Sequence, residues 1–376
     1  SPPPHHKGSI WGLRSKLTLH PFPKTAFPSN PFRPLSPGGQ ALASPRNLAP
    51  ADHPFGYYHC YSRVVDGRHA FGPQEKEQFR QFCTEYTAFC GVRLLTWCVL
   101  DNHFHLLVEV PAKPAELPTT EFLLKRLEHL TGTALSAAAT RQRIDLWRQQ
   151  NNAAAEEAWR GRQWRQMQNI SQFMKLLKQR FSQWFNRRHQ RRGTLWESRF
   201  GSVLVEGIGP AVAAMAAYLD LNPVRAGLVD DPKDYRWCGY AEAMVGQAEA
   251  QAGLATSLGT TVELVLPEYR VWLFGQGEER EGTDAAGRPL RRGLPREKVL
   301  AVVAAGGKVS LPELLQVRIR YLVAGAVLGS REFVNQIFQL NRSRFGPNRR
   351  DGARRIRGLV GSPLWCLRAL RRRPLG

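Results

Sequence analysis

The stretch VRLLTWCVLDNHFHLLVEV, residues 92–110, decides how this chain folds. It contains two apolar runs separated by Asp101-Asn102, residue types that favour turns, and so reads as two strands of a hairpin. A strand sends alternate side chains to opposite faces. His103 and His105 therefore point the same way, and Phe104 points into the other layer. Two neutral imidazoles side by side make a ready divalent-metal site.

Working outward, YYHCYSRVV (57–65) reads as a strand. The segment 75–91 has apolar residues at helical spacing and stops at Gly91. In residues 169–189, Ile170, Phe173, Met174, Leu177, Phe181, Trp184 and Phe185 form one apolar stripe opposite a basic face. TLWESRFGSVLVE (194–206) is a strand, and 209–222 is a helix opened by Pro210. The order strand, helix, strand, strand, helix, strand, helix predicts an α+β fold: a ferredoxin-like antiparallel sheet with helices on one face. A C-terminal helical region follows.

Composition divides the chain further. Residues 1–50 are rich in Pro, Ser and Arg without apolar periodicity, which predicts a disordered N-terminal segment. The main domain is expected over 51–245, with 112–168 as a peripheral helical insertion. Residues 246–345 read as a helical accessory region, including helices over 294–306 and 311–340. The second breaks at Leu328-Gly329-Ser330, where Ser330 is a good cap; the pair is either a helix-turn-helix or a plain helical hairpin. Residues 346–376 form a basic tail. Residues 341–376 hold eleven arginines and one acid, Asp351, so a mobile, phosphate-binding arm is expected there.

The 376 residues carry a formal net charge of +22, which points to a nucleic-acid partner ahead of an anionic membrane surface. No apolar run approaches membrane-spanning length, and the N-terminus lacks the apolar segment of a secretory signal. The six cysteines form no CxxC pair and read as reduced residues of a cytosolic protein.

Tyr218 and Asn222 lie in AAMAAYLDLNPVRAGLV, where a helix brings i and i+4 onto one face, about 40° apart. They fall beside the stripe of Val212, Met215, Ala216 and Leu219, where a polar tip stays exposed. A metal pair with a phenol and an amide on one face points to phosphate chemistry with a tyrosine nucleophile. The other metal reading, an amidohydrolase or metallo-β-lactamase type zinc site, needs further His and Asp ligands, and residues 106–110 supply none.

Three blocks, HFH at 103–105, RRGTLWESRF at 191–200 and YLDLNPVRAGLV at 218–229, resemble the single-tyrosine HUH transposases of bacteria, specifically the REP-associated tyrosine transposase group. The resemblance spans roughly residues 55–245. It implies a ferredoxin-like core and Mg²⁺ or Mn²⁺ held by His103, His105 and the Asn222 amide oxygen. It further implies a covalent 5′-phosphotyrosine on Tyr218 and a free 3′-OH. The partner it implies is single-stranded or hairpin DNA. Arg187, Arg188, Arg191, Arg192 and Arg199, among interleaved aromatics, are the expected phosphate contacts, with Arg225 of the third block. The other functions open at this point are a domesticated DNA-binding protein that no longer cleaves and a replication-initiation nickase. The expected setting is a monomer or homodimer in the cytoplasm, associated with the nucleoid.

Overall fold

The hairpin at residues 92–110 forms. In the computed structural model, which describes residues 46–131, 136–207, 209–277, 280–283, 289–291, 300, 326–356 and 363–368, strands β2 (Arg93–Val99) and β3 (His103–Pro111) pair antiparallel. The Leu100 N–H donates to the His103 carbonyl at 2.8 Å and closes the turn. β1 (Phe55–Arg63) pairs antiparallel with the other edge of β3, placing Arg63 opposite His103 and Tyr61 opposite His105. β4 (Gly201–Val205) pairs antiparallel with β1.

Helix α1 (Pro73–Cys90) joins β1 to β2. Pro73 opens it, the Gly72 N–H donates to the Glu75 carboxylate at 3.0 Å, and Gly91 ends it at φ +64°, a left-handed conformation that glycine adopts without steric cost. Three helices then precede the next strand: α2 (Thr120–Leu127), α3 (Ala137–Gln149) and α4 (Ala153–Gln166). They are helical as expected, but not merely peripheral. Leu123, Leu124, Ile144 and Trp159 are buried in the same core as Phe79 and Phe104. α5 (Ile170–Arg188) carries the predicted stripe and packs on α1.

The fold is α+β, but its helices cover both faces of the sheet rather than one. Phe104, Leu106 and Val108 of β3, with Tyr58 and Cys60 of β1, face α1, α5 and α2–α4. Leu107, Val203 and Val205 face the opposite way, into a second core with α6 (Pro210–Asp220), α8 (Gly239–Met244), α9 (Ala248–Leu258) and α10 (Val262–Gly277); the short α7 (Asn222–Arg225) follows α6. The physical reason is in the strands. They are apolar on both sides, so both sides need cover. A shift in register between Leu94 and Thr96 adds to this by turning Leu95 into the second core while Trp97 joins the first.

The C-terminal third departs from expectation. β5 (Arg280–Thr283) and β6 (Pro289–Arg291) form a separate two-stranded sheet. Residues 327–329, expected as the end of one helix and a break at Leu328-Gly329-Ser330, form strand β7 (Val327–Gly329), which pairs parallel with β4. Backbone bonds from Leu204 N–H to the Ala326 carbonyl (3.2 Å) and Glu206 N–H to the Leu328 carbonyl (3.0 Å) hold it there. An open strand edge is a stronger partner for a short apolar segment than an isolated helical turn. Ser330 caps α11 (Arg331–Leu340) as expected, its hydroxyl accepting from Phe333 N–H at 3.2 Å. The stretch expected to be a mobile tail contributes β8 (Arg354–Arg355) and β9 (Trp365–Cys366), giving a seven-stranded sheet in the order β2-β3-β1-β4-β7-β9-β8. Its arginines are partly structural: Arg349 lies over the rings of Phe338 and Phe345 and donates to the Gly352 carbonyl at 2.7 Å. The expectations for residues 1–45 and for helices over 294–306 and 311–325 lie outside the described residues, Leu300 apart. No helix among the described residues is long and apolar enough to cross a membrane, and all six cysteines are buried free thiols.

Candidate active site

The second face of the sheet gathers polar rings. His103 and His105 of β3 have ring centroids 5.1 Å apart, and His105 stands 5.6 Å from Tyr218 of α6, edge to face. A third imidazole, His59 of β1, stacks on His105 at 5.1 Å and meets Tyr218 edge-on at 5.8 Å. Tyr61, two residues along β1, lies 5.4 Å from His59 and 6.1 Å from His105. The cluster follows from strand alternation: odd positions of β1 and of β3 share one face, and α6 packs across it.

Hydrogen bonds fix part of its protonation pattern. Asn102 donates its amide N–H to the Gly67 carbonyl at 2.9 Å, which turns its Oδ1 to His103 Nδ1 at 2.6 Å. An amide oxygen only accepts, so Nδ1 of His103 carries the proton and Nε2 the lone pair. His105 Nδ1 meets His59 Nε2 at 2.9 Å. Burial, followed by the charge of Arg63, brings His103 down to about 4. Burial, then His103 and His59, holds His105 well below the ordinary imidazole range. Both rings are therefore neutral at pH 7, the form that ligates metal. Among the described residues, no group of three or more His, Cys, Asp or Glu is arranged to hold a metal ion. Two neutral imidazoles side by side offer nitrogen donors of the kind a divalent cation takes.

Tyr218 does not keep an exposed tip. It is 2 % exposed, and burial raises its phenol above the ordinary tyrosine value, against the pull of Arg225. α8–α10 bring the second core over α6, which the helical stripe alone does not reveal. Asn222 follows one turn later, across a break at Leu221, and Pro223 comes directly after it. Proline has no N–H to give the Leu219 carbonyl. The Asn222 side chain supplies one instead, donating to Tyr218 O at 2.9 Å and Leu219 O at 3.3 Å. Its side chain also hydrogen-bonds the Tyr218 phenol. Arg225 donates to the same Tyr218 carbonyl at 3.3 Å and lies 5.4 Å over the Tyr218 ring.

Beside this cluster is a buried carboxyl, Asp220. It accepts from Thr96 Oγ1 (2.7 Å), Tyr240 N–H (3.2 Å) and Tyr269 Oη (2.5 Å), tying α6 to β2, α8 and α10. Burial outweighs these bonds and raises it to about 7.

The expected DNA-binding arginines fall into two groups. Arg225 is at the cluster. Arg187, Arg188, Arg191, Arg192 and Arg199 lie at the end of α5 and on the loop to β4. That loop borders the His103 end of the sheet, for Glu197 N–H donates to the carbonyl of Arg63, the residue opposite His103. Arg188 pairs with Glu75 at 3.6 Å, Arg191 lies over Phe185, and Arg187, Arg192 and Arg199 are exposed.

Sequence reasoning did not single out His59 or Tyr61. The signal was present in the period-2 spacing of Tyr57, His59 and Tyr61, but using it requires the β1–β3 register.

The fold and site together define an α+β protein with a buried histidine–tyrosine cluster at the sheet surface. The sequence matches no protein-family model and no curated relative. In structure it is similar to a REP-associated tyrosine transposase bound to a REP hairpin, with a TM-score of 0.30 and 12% identity over 54% of this chain and 85% of that one. A likeness that distant does not define the fold.

Proposed function

We propose that this chain is a single-tyrosine strand-transfer enzyme acting on single-stranded DNA near hairpins, of the transposase kind its three motif blocks resemble. Tyr218 is the nucleophile, and His103, His105 and Asn222 are the ligands of Mg²⁺ or Mn²⁺. The observation that carries the reading is the convergence of two neutral imidazoles and a phenol, from elements more than a hundred residues apart, at centroid distances of 5.1 and 5.6 Å.

A divalent cation bound there would neutralise phosphate oxygens as charge builds in the transition state. The protein supplies the rest. Tyr218 Oη attacks the phosphorus and forms a phosphotyrosine, the P–O3′ bond breaks, and on balance the phenolic proton passes to the leaving 3′ oxygen. Arg225, over the ring, favours the developing phenolate. Asn222 and Arg225 fix the carbonyl of Tyr218 and so the end of α6. The exposed arginines on the loop after α5 hold the strand by its phosphates.

The burial of Tyr218 favours a second reading, a DNA-binding protein that keeps the fold without cleaving. Incubation with hairpin-bearing single-stranded DNA and Mg²⁺ or Mn²⁺ separates the two. A covalent protein–DNA adduct that resists denaturing gels is expected. Tight binding with no adduct selects the second reading.

A further inference from the structure

His59, like Tyr61, is a polar residue of the cluster that the mechanism does not use. It is fully buried, and its neighbours across the sheet are Leu107 on β3 and Val203 on β4, both fully buried. An aliphatic side chain would pack there without the cost of desolvating an imidazole. The ring nonetheless directs Nε2 at His105 Nδ1, 2.9 Å away, and stacks on it with the planes 25° apart.

That contact has two possible polarities with opposite consequences. If His59 Nε2 donates, His105 Nδ1 holds the lone pair and Nε2 the proton, and His105 cannot present Nε2 to a cation. If His59 Nε2 accepts, His105 carries its proton on Nδ1 and its lone pair on Nε2, matching the tautomer that Asn102 imposes on His103. We propose that His59 is the positioning residue of this site: it accepts a hydrogen bond from His105 Nδ1 and thereby holds His105 in the tautomer and orientation that offer Nε2 to a divalent cation. The inference rests on the reading of His103 and His105 as cation ligands. His59 stands to His105 as Asn102 stands to His103, so each ligand has its own buried acceptor. The His59 edge on Tyr218 also couples the ligand's position to the nucleophile's.

The test uses the full chain and Mn²⁺ alone, with binding followed by calorimetry and imidazole tautomers read by ¹⁵N NMR on the metal-free protein. His59→Leu is expected to weaken Mn²⁺ binding by about ten- to a hundredfold, the usual cost of losing such an outer partner. His59→Gln, whose amide oxygen also accepts, is expected to recover most of that loss. In the wild type, His105 is expected to carry its proton on Nδ1. Mn²⁺ affinity unchanged in His59→Leu while His105→Ala loses it would overturn the role of His59 and leave the ligand reading standing. Equal binding by wild type and His105→Ala would remove the ligand reading and this inference with it. A proton on Nε2 of His105 in the wild type overturns the inference without any variant, whether or not His59→Leu folds.

Discussion

The two faces of the central sheet are buried to a similar degree and built from different chemistry. On the α1–α5 face, Phe104 sits between Phe79 (4.5 Å) and Trp196 (5.4 Å), with Leu106 and Val108 beside it. On the α6–α10 face, His59, His105, Tyr218 and Asp220 are all at most 4 % exposed. Apolar and aromatic contacts on the first face stabilise the fold directly. Buried polar groups on the second face cost desolvation and offset it only through the hydrogen bonds they make with one another. Both faces carry an apolar core, and the second sets a cluster of buried histidine and tyrosine rings within its own.

The largest effect that would test this division is on the polar face. Tyr218→Phe removes one oxygen from a ring whose packing remains. Adduct formation is expected to fall by at least about a thousandfold, roughly 4 kcal/mol of transition-state stabilisation, while DNA binding stays near the wild-type value. Persistence of a covalent species in this variant would assign the chemistry to another tyrosine, and Tyr61 is the first to try. The matching change on the other face is Phe104→Ala. It empties a fully buried aromatic site and is expected to destabilise the fold by about 3–5 kcal/mol in urea unfolding. If Tyr218→Phe destabilised as much as Phe104→Ala, the two faces would not differ in the way described.

How far the sequence foretold each face follows from the same contrast. Phe104 and the stripe from Ile170 to Phe185 were legible because alternation and helical period are local signals, and β1, α1, β2, β3, α5, β4 and α6 follow the predicted order. The convergence of His103, His105 and Tyr218 was legible, since it required only that α6 cover the strand. The cover itself was not legible. α8 and α10 are held to α6 by Asp220, through Tyr240 N–H and the Tyr269 hydroxyl, contacts that no local pattern announces. Hence the second helical layer and the burial of Tyr218 were missed together. β7 was misread for a related reason: Val327-Leu328 has no strand signal of its own and takes its conformation from the free edge of β4.

Asp220 gives a sharper test of the cost of the polar face. Its folded value is raised to about 7 from an ordinary 3.8, so the folded chain holds this proton more tightly than the unfolded chain. The resulting stability is fully present below about pH 4 and is lost as pH rises through 7, by an amount on the order of 4 kcal/mol at most. Asp220→Asn cannot ionise and can still bond to Thr96 and Tyr269. Melting temperature measured from pH 5 to pH 8 with a chelator present should fall more steeply for wild type than for the variant. The variant should be the more stable of the two at pH 8. Parallel curves would mean that Asp220 stays ionised in the fold and that its three donors outweigh its burial.

The smallest effect concerns how the polar face meets DNA. The loop after α5 touches the sheet at Arg63, opposite His103, so the exposed arginines on it and at the end of α5 stand at the His103 end of the sheet, where the proposed function would bring a single strand. Arg349 and Arg355 do not share this setting: Arg349 is taken up by Phe338 and Phe345, and Arg355 lies over Trp365, whereas Arg368 is near enough for its charge to act on the Tyr61 phenol. Replacing Arg187, Arg192 and Arg199 together with Gln is therefore expected to lower the log–log salt dependence of single-strand binding by roughly 2, about 0.7 for each lost phosphate contact. The same number of changes at Arg349, Arg354 and Arg355 should lower it less and reduce thermal stability more. Binding titrations of both triple variants over a salt series decide the matter. An unchanged slope for the loop variant would move the DNA path away from the His103 end of the sheet. A larger change for the C-terminal variant would place the path along β8 and β9 instead.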